Sequence, residues 1–119
     1  MTQRIVVLTD AMMITCIVQR GIADRIVEAA QRAGAHGATI FHAHGTGVRQ
    51  RLGVLGITVN AEKEVVCIVV AREQADHMFE QIHAAAKLDT PGMGMMYLTQ
   101  IEKMATYVPP EIVKKFDRG

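Results

Sequence analysis

The hydrophobic period of this chain changes in a fixed order, and the whole order occurs twice: strand-like, then helical, then strand-like again. Residues 13–18 are apolar at nearly every position, as in a strand covered on both sides. Gln19, Arg20 and Gly21 interrupt that run. Ile22, Ile26, Val27, Ala30 and Ala33 then recur at helical spacing. Asp24 falls in the first turn, where a carboxylate suits the helix dipole. Gly34 stands just past the last periodic residue, where a left-handed conformation costs glycine little. Residues 38–43 read as a second strand. The pattern restarts with a strand at 65–71 and a helix whose apolar stripe is Ala75, Met78, Phe79, Ile82 and Ala86. Leu88, Asp89, Thr90, Pro91 and Gly92 stop that helix, and a strand follows at 94–99. Ile5, Val6, Val7 and Leu8 form one further short β-type run.

Two such strand–helix–strand units, interleaved, give a ferredoxin-like α+β sandwich, an antiparallel sheet with two helices on one face. At 119 residues the chain is one domain, 1–119. A sheet of this build should alternate apolar and polar residues, because its second face meets water. Residues 13–18 and 65–71 do not alternate. A bare monomer would therefore expose an apolar sheet, so a homo-oligomer packed sheet to sheet is expected.

Charge and composition remove several classes of function. The formal net charge is +1, without the basic stripe of a nucleic-acid binder. No apolar run approaches the ~18 residues needed to span a bilayer. Residues 1–5 lack a signal-peptide layout, and Cys16 and Cys67 sit inside apolar strands. Both read as reduced thiols of a cytoplasmic protein. No Ser-His-Asp, Cys-His or paired-carboxylate set stands out, so a non-enzymatic role is expected. The carboxylates Asp24, Glu28, Asp76 and Glu80 read as solvated helix faces, and His77 and His83 as exposed.

The connector between the two units holds the unusual chemistry. Gly45, Thr46, Gly47 and Val48 offer unblocked backbone N–H groups, and Arg49 and Arg51 add planar guanidinium forks suited to phosphate or carboxylate. Gln50 lies between them. A dinucleotide-binding fold is excluded, since no sixth-position glycine and no helix follow. Val54, Leu55, Ile57 and Val59 give the connector an apolar stripe. Among Met93, Met95 and Met96, core packing competes with the lining of a flat ligand.

These segments resemble the PII signal-transduction superfamily. The likeness is carried by Ile14, Thr15, Cys16, Ile17 and Val18 with their helix, and by Gly37 to Ile40. Gly45 to Gln50, the strand and helix over 64–86, and the turn Pro91, Gly92, Met93 and Gly94 complete it. The resemblance implies a homotrimer that binds an adenine nucleotide or another small anionic effector in clefts between subunits. It also implies signalling to a protein partner through the connector, the family's T-loop. Thr39 then stands near the adenine, and Gly47 at the base of the T-loop. Arg49 or Gln50 would report on the effector, and Gly92 and Gly94 belong to the phosphate-wrapping B-loop. The chain departs from the family pattern at several points. Met95 occupies the place of the B-loop lysine, and residues 104–108 carry no arginine, with Lys103 the nearest base. The connector is short and lacks the tyrosine that some members modify. The resemblance is thus to a divergent, PII-like member.

His42 and His44 support an alternative. At i and i+2 on a strand they point to one face, and with a third ligand they would hold a divalent metal, as in a trimer of the CutA type.

Overall fold

The structure, a computed structural model, describes residues 7–44, 62–107 and 110–111. In chain order the elements are β1 (Val7–Leu8), β2 (Ala11–Gln19), α1 (Ala23–Arg32), β3 (Thr39–His44), β4 (Glu62–Ala71), α2 (Arg72–Ala86), β5 (Gly94–Ile101) and β6 (Met104–Ala105). The four long strands form one antiparallel sheet in the order β3-β4-β2-β5. This is the ferredoxin-like order expected from the sequence.

Even-numbered residues of the four strands face the helices. Cys16 lies between Val66 of β4 and Met96 of β5, and Ile14 between Ile68 and Leu98. α2 packs on the central strands β2 and β4, α1 packs on β4, and the two helices pack against each other. Ile14, Cys16, Val18, Val66 and Ile68 meet Ile26, Met78 and Ile82 there, all without solvent exposure.

Odd-numbered residues point to the helix-free face. On that face Phe41 is 49% exposed, Val69 47%, Met95 48% and Tyr97 42%. The apolar second face inferred from the lack of alternation is therefore present.

Helix ends explain most of the turns. Gly34 adopts φ +111, its N–H donates to Gln31 O (3.0 Å), and the N–H of Ala35 donates to Ala30 O (2.8 Å). These two bonds make a Schellman motif, and a glycine fills its left-handed position as expected. The second helix stops differently from the sequence expectation. Lys87, directly after Ala86, adopts the left-handed conformation at φ 53 and ends α2 before Pro91 is reached. A lysine carries no left-handed signal, so the stop was placed on the residues that follow.

The early β-type run is also resolved. Val7 and Leu8 pair antiparallel with Ala105 and Met104, in a two-stranded ribbon separate from the main sheet. Ile5 and Val6 lie outside the described residues.

Candidate functional site

The site begins where β3 starts late. After the Schellman turn the chain crosses residues 35–38 and enters β3 at Thr39, opposite Cys67. β4 continues to Ala71, so residues 68–71 have no β3 neighbour.

The pairing parity says which backbone groups this exposes. Arg72 N–H donates to Asp10 O (2.9 Å), one step beyond the Ala11–Ala71 pair. Antiparallel ladders alternate bonded and non-bonded pairs, so even-numbered β4 residues bond toward β2. Val69 and Ala71 therefore turn N–H and C=O to the other side, where β3 is missing. No backbone hydrogen bond from residues 34–38 reaches them.

A cavity of about 480 Å³ opens at this notch. His36, Thr39, Cys67, Val69, Ala71 and Gln74 are among its lining residues, and none of the lining side chains is a lysine, arginine or carboxylate. Ala71 is also the N-cap of α2 and supplies no side-chain cap. The amino end of that helix thus borders the cavity with first-turn N–H groups that no cap side chain covers, an arrangement that suits an anionic group. Cavities of this size take small organic ligands, with a few polar groups fixing orientation.

The second expected element, the turn at Gly92 to Gly94, is fastened to the end of β2. The Gln19 N–H donates to Met93 O (3.1 Å), its Nε2 donates to Gly92 O, and Met93 N–H donates to Thr90 O (3.2 Å). Gly94 has φ +138, and a Cβ there would lie 2.2 Å from Ile17 O. Glycine is required at 94 by close approach to β2. Met96 and Met93 pack against the core, whereas Met95 lies on the helix-free face.

Thr39 and the 92–94 turn do not share a pocket within one copy. β3 and β5 are opposite edges of the sheet, three strand spacings or about 14 Å apart. Gly45, Thr46, Gly47, Val48, Arg49, Gln50 and Arg51 lie outside the described residues.

The two histidines occupy a different place. His42 and His44 are exposed on the helix side of the sheet, opposite Glu64 and Glu62. Both carboxylates already have partners. Glu64 Oε1 accepts from the N–H groups of Gly21 (2.8 Å) and Ala23 (3.0 Å) at the start of α1. Glu62 Oε2 accepts from Arg20 Nη1 (2.9 Å). Among the described residues no group of three or more His, Cys, Asp or Glu side chains stands close enough to hold a metal ion.

Cys16 and Cys67 are free, and their parity sends them to opposite faces of the sheet. Burial, with the Cys67 charge as a smaller cause, pushes the Cys16 thiol up to about 12.

Of the residues expected to bind a ligand, Thr39 lines the cavity. His36, Cys67, Val69, Ala71 and Gln74 were not singled out. Their contribution depends on β4 outrunning β3, and the only sequence trace of that is the greater length of the second unit's apolar run.

Three comparisons place the chain among known proteins. The family model described as nitrogen regulatory protein P-II matches residues 11–109. No curated protein sequence matches. Among solved structures the chain is similar to the crystal structure of Arabidopsis thaliana PII bound to citrate, with TM-score 0.64 and 18% identity, covering 79% of each chain.

Proposed function

Because this chain belongs to the nitrogen regulatory protein P-II family, we propose that it is a PII-type regulator that binds a small effector in a cleft between copies. The observation that carries this reading is the separation of the two half-sites. The notch at Thr39, Cys67 and Val69 opens on one sheet edge, and the 92–94 turn sits on the other. Copies packed through their apolar helix-free faces can bring the β3 edge of one against the β5 edge of the next. Closed cyclic assembly repeats that seam, and three copies give the trimer that the family resemblance implies.

The effector is a nucleotide or a small anion. The N–H and C=O groups of Val69, without a backbone partner on that side among the described residues, match with the Thr39 hydroxyl a ring that presents a donor beside an acceptor, as adenine does. Gly45, Thr46, Gly47 and Val48, together with Arg49, Gln50 and Arg51, and the turn at Gly92, Met93 and Gly94 form the anionic end of the site. Effector binding is relayed through the connector, and a protein partner reads it through Val54, Leu55, Ile57 and Val59, which lie outside the described residues.

A ligand panel tests the first half of this reading. Thermal shift against adenine nucleotides, cyclic nucleotides, bicarbonate and citrate should find at least one ligand that raises the melting point. With that ligand, replacing Arg49 and Arg51 together by alanine should weaken binding by roughly 2–4 kcal/mol in calorimetry. Unchanged affinity would remove the arginines from the site.

Subunit mixing tests the shared cleft. Val69→Arg fills the notch, and Pro91→Glu, at an exposed position, places a repelling charge at the turn, so each variant alone should fail to bind. Co-assembled, the two should regain part of the binding, because some seams join an intact notch to an intact turn. No recovery in verified mixed assemblies would place both half-sites in one copy.

A further inference from the structure

The roots of the connector carry a set of side chains that the effector reading does not use. His44 is the last residue of β3, and Glu62 is the first of β4. They are register partners, as are His42 and Glu64. All four lie on the helix side of the sheet, the face opposite Thr39 and Cys67.

Pairing parity brings them close. Odd-numbered β4 residues bond toward β3, so 42–64 and 44–62 are the non-bonded pairs. In such pairs facing Cα atoms stand about 4.5 Å apart and side chains are nearest. Two imidazoles at i and i+2 on one strand therefore face two carboxylates at i and i+2 on the next. His42 and His44 are both exposed, so packing does not hold their rings in place.

As placed, the donors do not converge, because each carboxylate is held elsewhere. The two holds differ in kind. Glu64 caps the start of α1 through two backbone N–H groups, one of them on buried Ala23. Releasing it would strip the helix end of its acceptor. Among the described residues Glu62 is held by Arg20 alone, in a pair whose side chains are 74% and 56% exposed. Exposed pairs of this kind contribute little, with measured values of about 0.2–1 kcal/mol. Glu62 is thus the carboxylate that can leave its partner.

We propose that His42, His44 and Glu62 form a binding site for a divalent transition cation of the Zn²⁺, Cu²⁺ or Ni²⁺ class, with Glu62 exchanging Arg20 for the metal. Imidazole nitrogens and one carboxylate oxygen are the donors such cations prefer, and three protein ligands leave a position for water. The exchange needs side-chain rotation only, since the ladder already sets the backbone. The metal would tie the end of β3 to the start of β4, the two strand ends from which the connector leaves. This proposal does not rest on the effector reading, whose notch lies around Thr39, Cys67 and Val69.

Titration of the full-length apo protein with Zn²⁺ and with Ni²⁺, against a competing chromophoric chelator, tests the proposal. One equivalent per chain should bind. His42→Ala and His44→Ala should each weaken binding roughly tenfold or more, since losing even a residue that only orients a metal ligand costs that much. Glu62→Gln should weaken it as well. Arg20→Ala should strengthen it, because Glu62 is then free, and a purely structural role for Arg20 would not have that effect. Cys67→Ser should leave the affinity unchanged, and the Cu²⁺ form should lack a thiolate charge-transfer band. These histidines are exposed, so normal thermal unfolding of the variants without metal should accompany the loss. The proposal is overturned if the wild-type protein takes up no metal at ~100 µM, a level that would half-fill a site with a Kd of about 100 µM. It is equally overturned if binding survives in the double histidine variant, disappears in Cys67→Ser, or weakens in Arg20→Ala.

Discussion

The two faces of the central sheet are built from nearly the same residue types, yet adjacent residues on them can have opposite fates. Ile68 and Val69 are neighbours on β4, and both are β-branched and apolar. Ile68 is fully buried under α1 and α2, while Val69 is 47% exposed and lines the cavity. The same contrast holds between Cys16, buried, and Cys67, half-buried at the notch. Composition alone does not distinguish the faces. The helices choose one, and the other keeps an apolar surface that a neighbouring copy can use. One face is therefore committed to folding, and the other is the face that the proposed function assigns to assembly and the cleft.

Substitutions on adjacent residues separate these roles most strongly. Ile68→Ala should cost about 2–5 kcal/mol in chemical denaturation, with little dependence on protein concentration, because it opens a cavity in the helix-covered core. Val69→Ala should cost far less in dilute protein and progressively more as assembly is favoured. Equal and concentration-independent losses at both positions would erase the distinction between the faces.

Gly94→Ala comes next, because it acts where the turn meets β2. Its Cβ would collide with Ile17 O, and the backbone would be strained at φ +138. A loss on the order of 3 kcal/mol or more is expected in thermal or urea unfolding. A near-neutral result would mean that the turn can move away from β2.

The cysteines give the smallest effect. The Cys16 thiol ionises at about 12 in the fold but near 9.0 once exposed. The folded state therefore keeps a proton that the unfolded chain gives up, and stability falls as pH rises between these values. The contribution is present below pH 9, and by pH 10 the loss is on the order of 1 kcal/mol. Cys16→Ala should remove that part of the slope in unfolding curves at pH 8 and pH 10. A slope identical to that of the wild type would mean that Cys16 is not shielded.

The parts legible in the sequence were those governed by local period and local turn chemistry. The apolar runs of β2 and β4, the stripe of α2 and the Gly34 cap each depend on residues a few positions apart, and each is present. The Lys87 stop was hidden because a non-glycine residue takes the left-handed conformation. Glu64 capping α1, 41 residues earlier in the chain at Ala23, is a contact that no local pattern announces. The candidate site was legible at Thr39 only through family likeness. The backbone edge of Val69 and Ala71 emerges only once strand lengths and pairing parity are known, because any side chain leaves the same N–H and C=O behind.

Sedimentation equilibrium of the full-length protein at micromolar concentration tests the assembly claim most directly. The expected result is a single species with three times the 13.0 kDa chain mass, dissociating when Phe41, Met95 or Tyr97 is replaced by a charged residue. A monodisperse monomer across that range would contradict it.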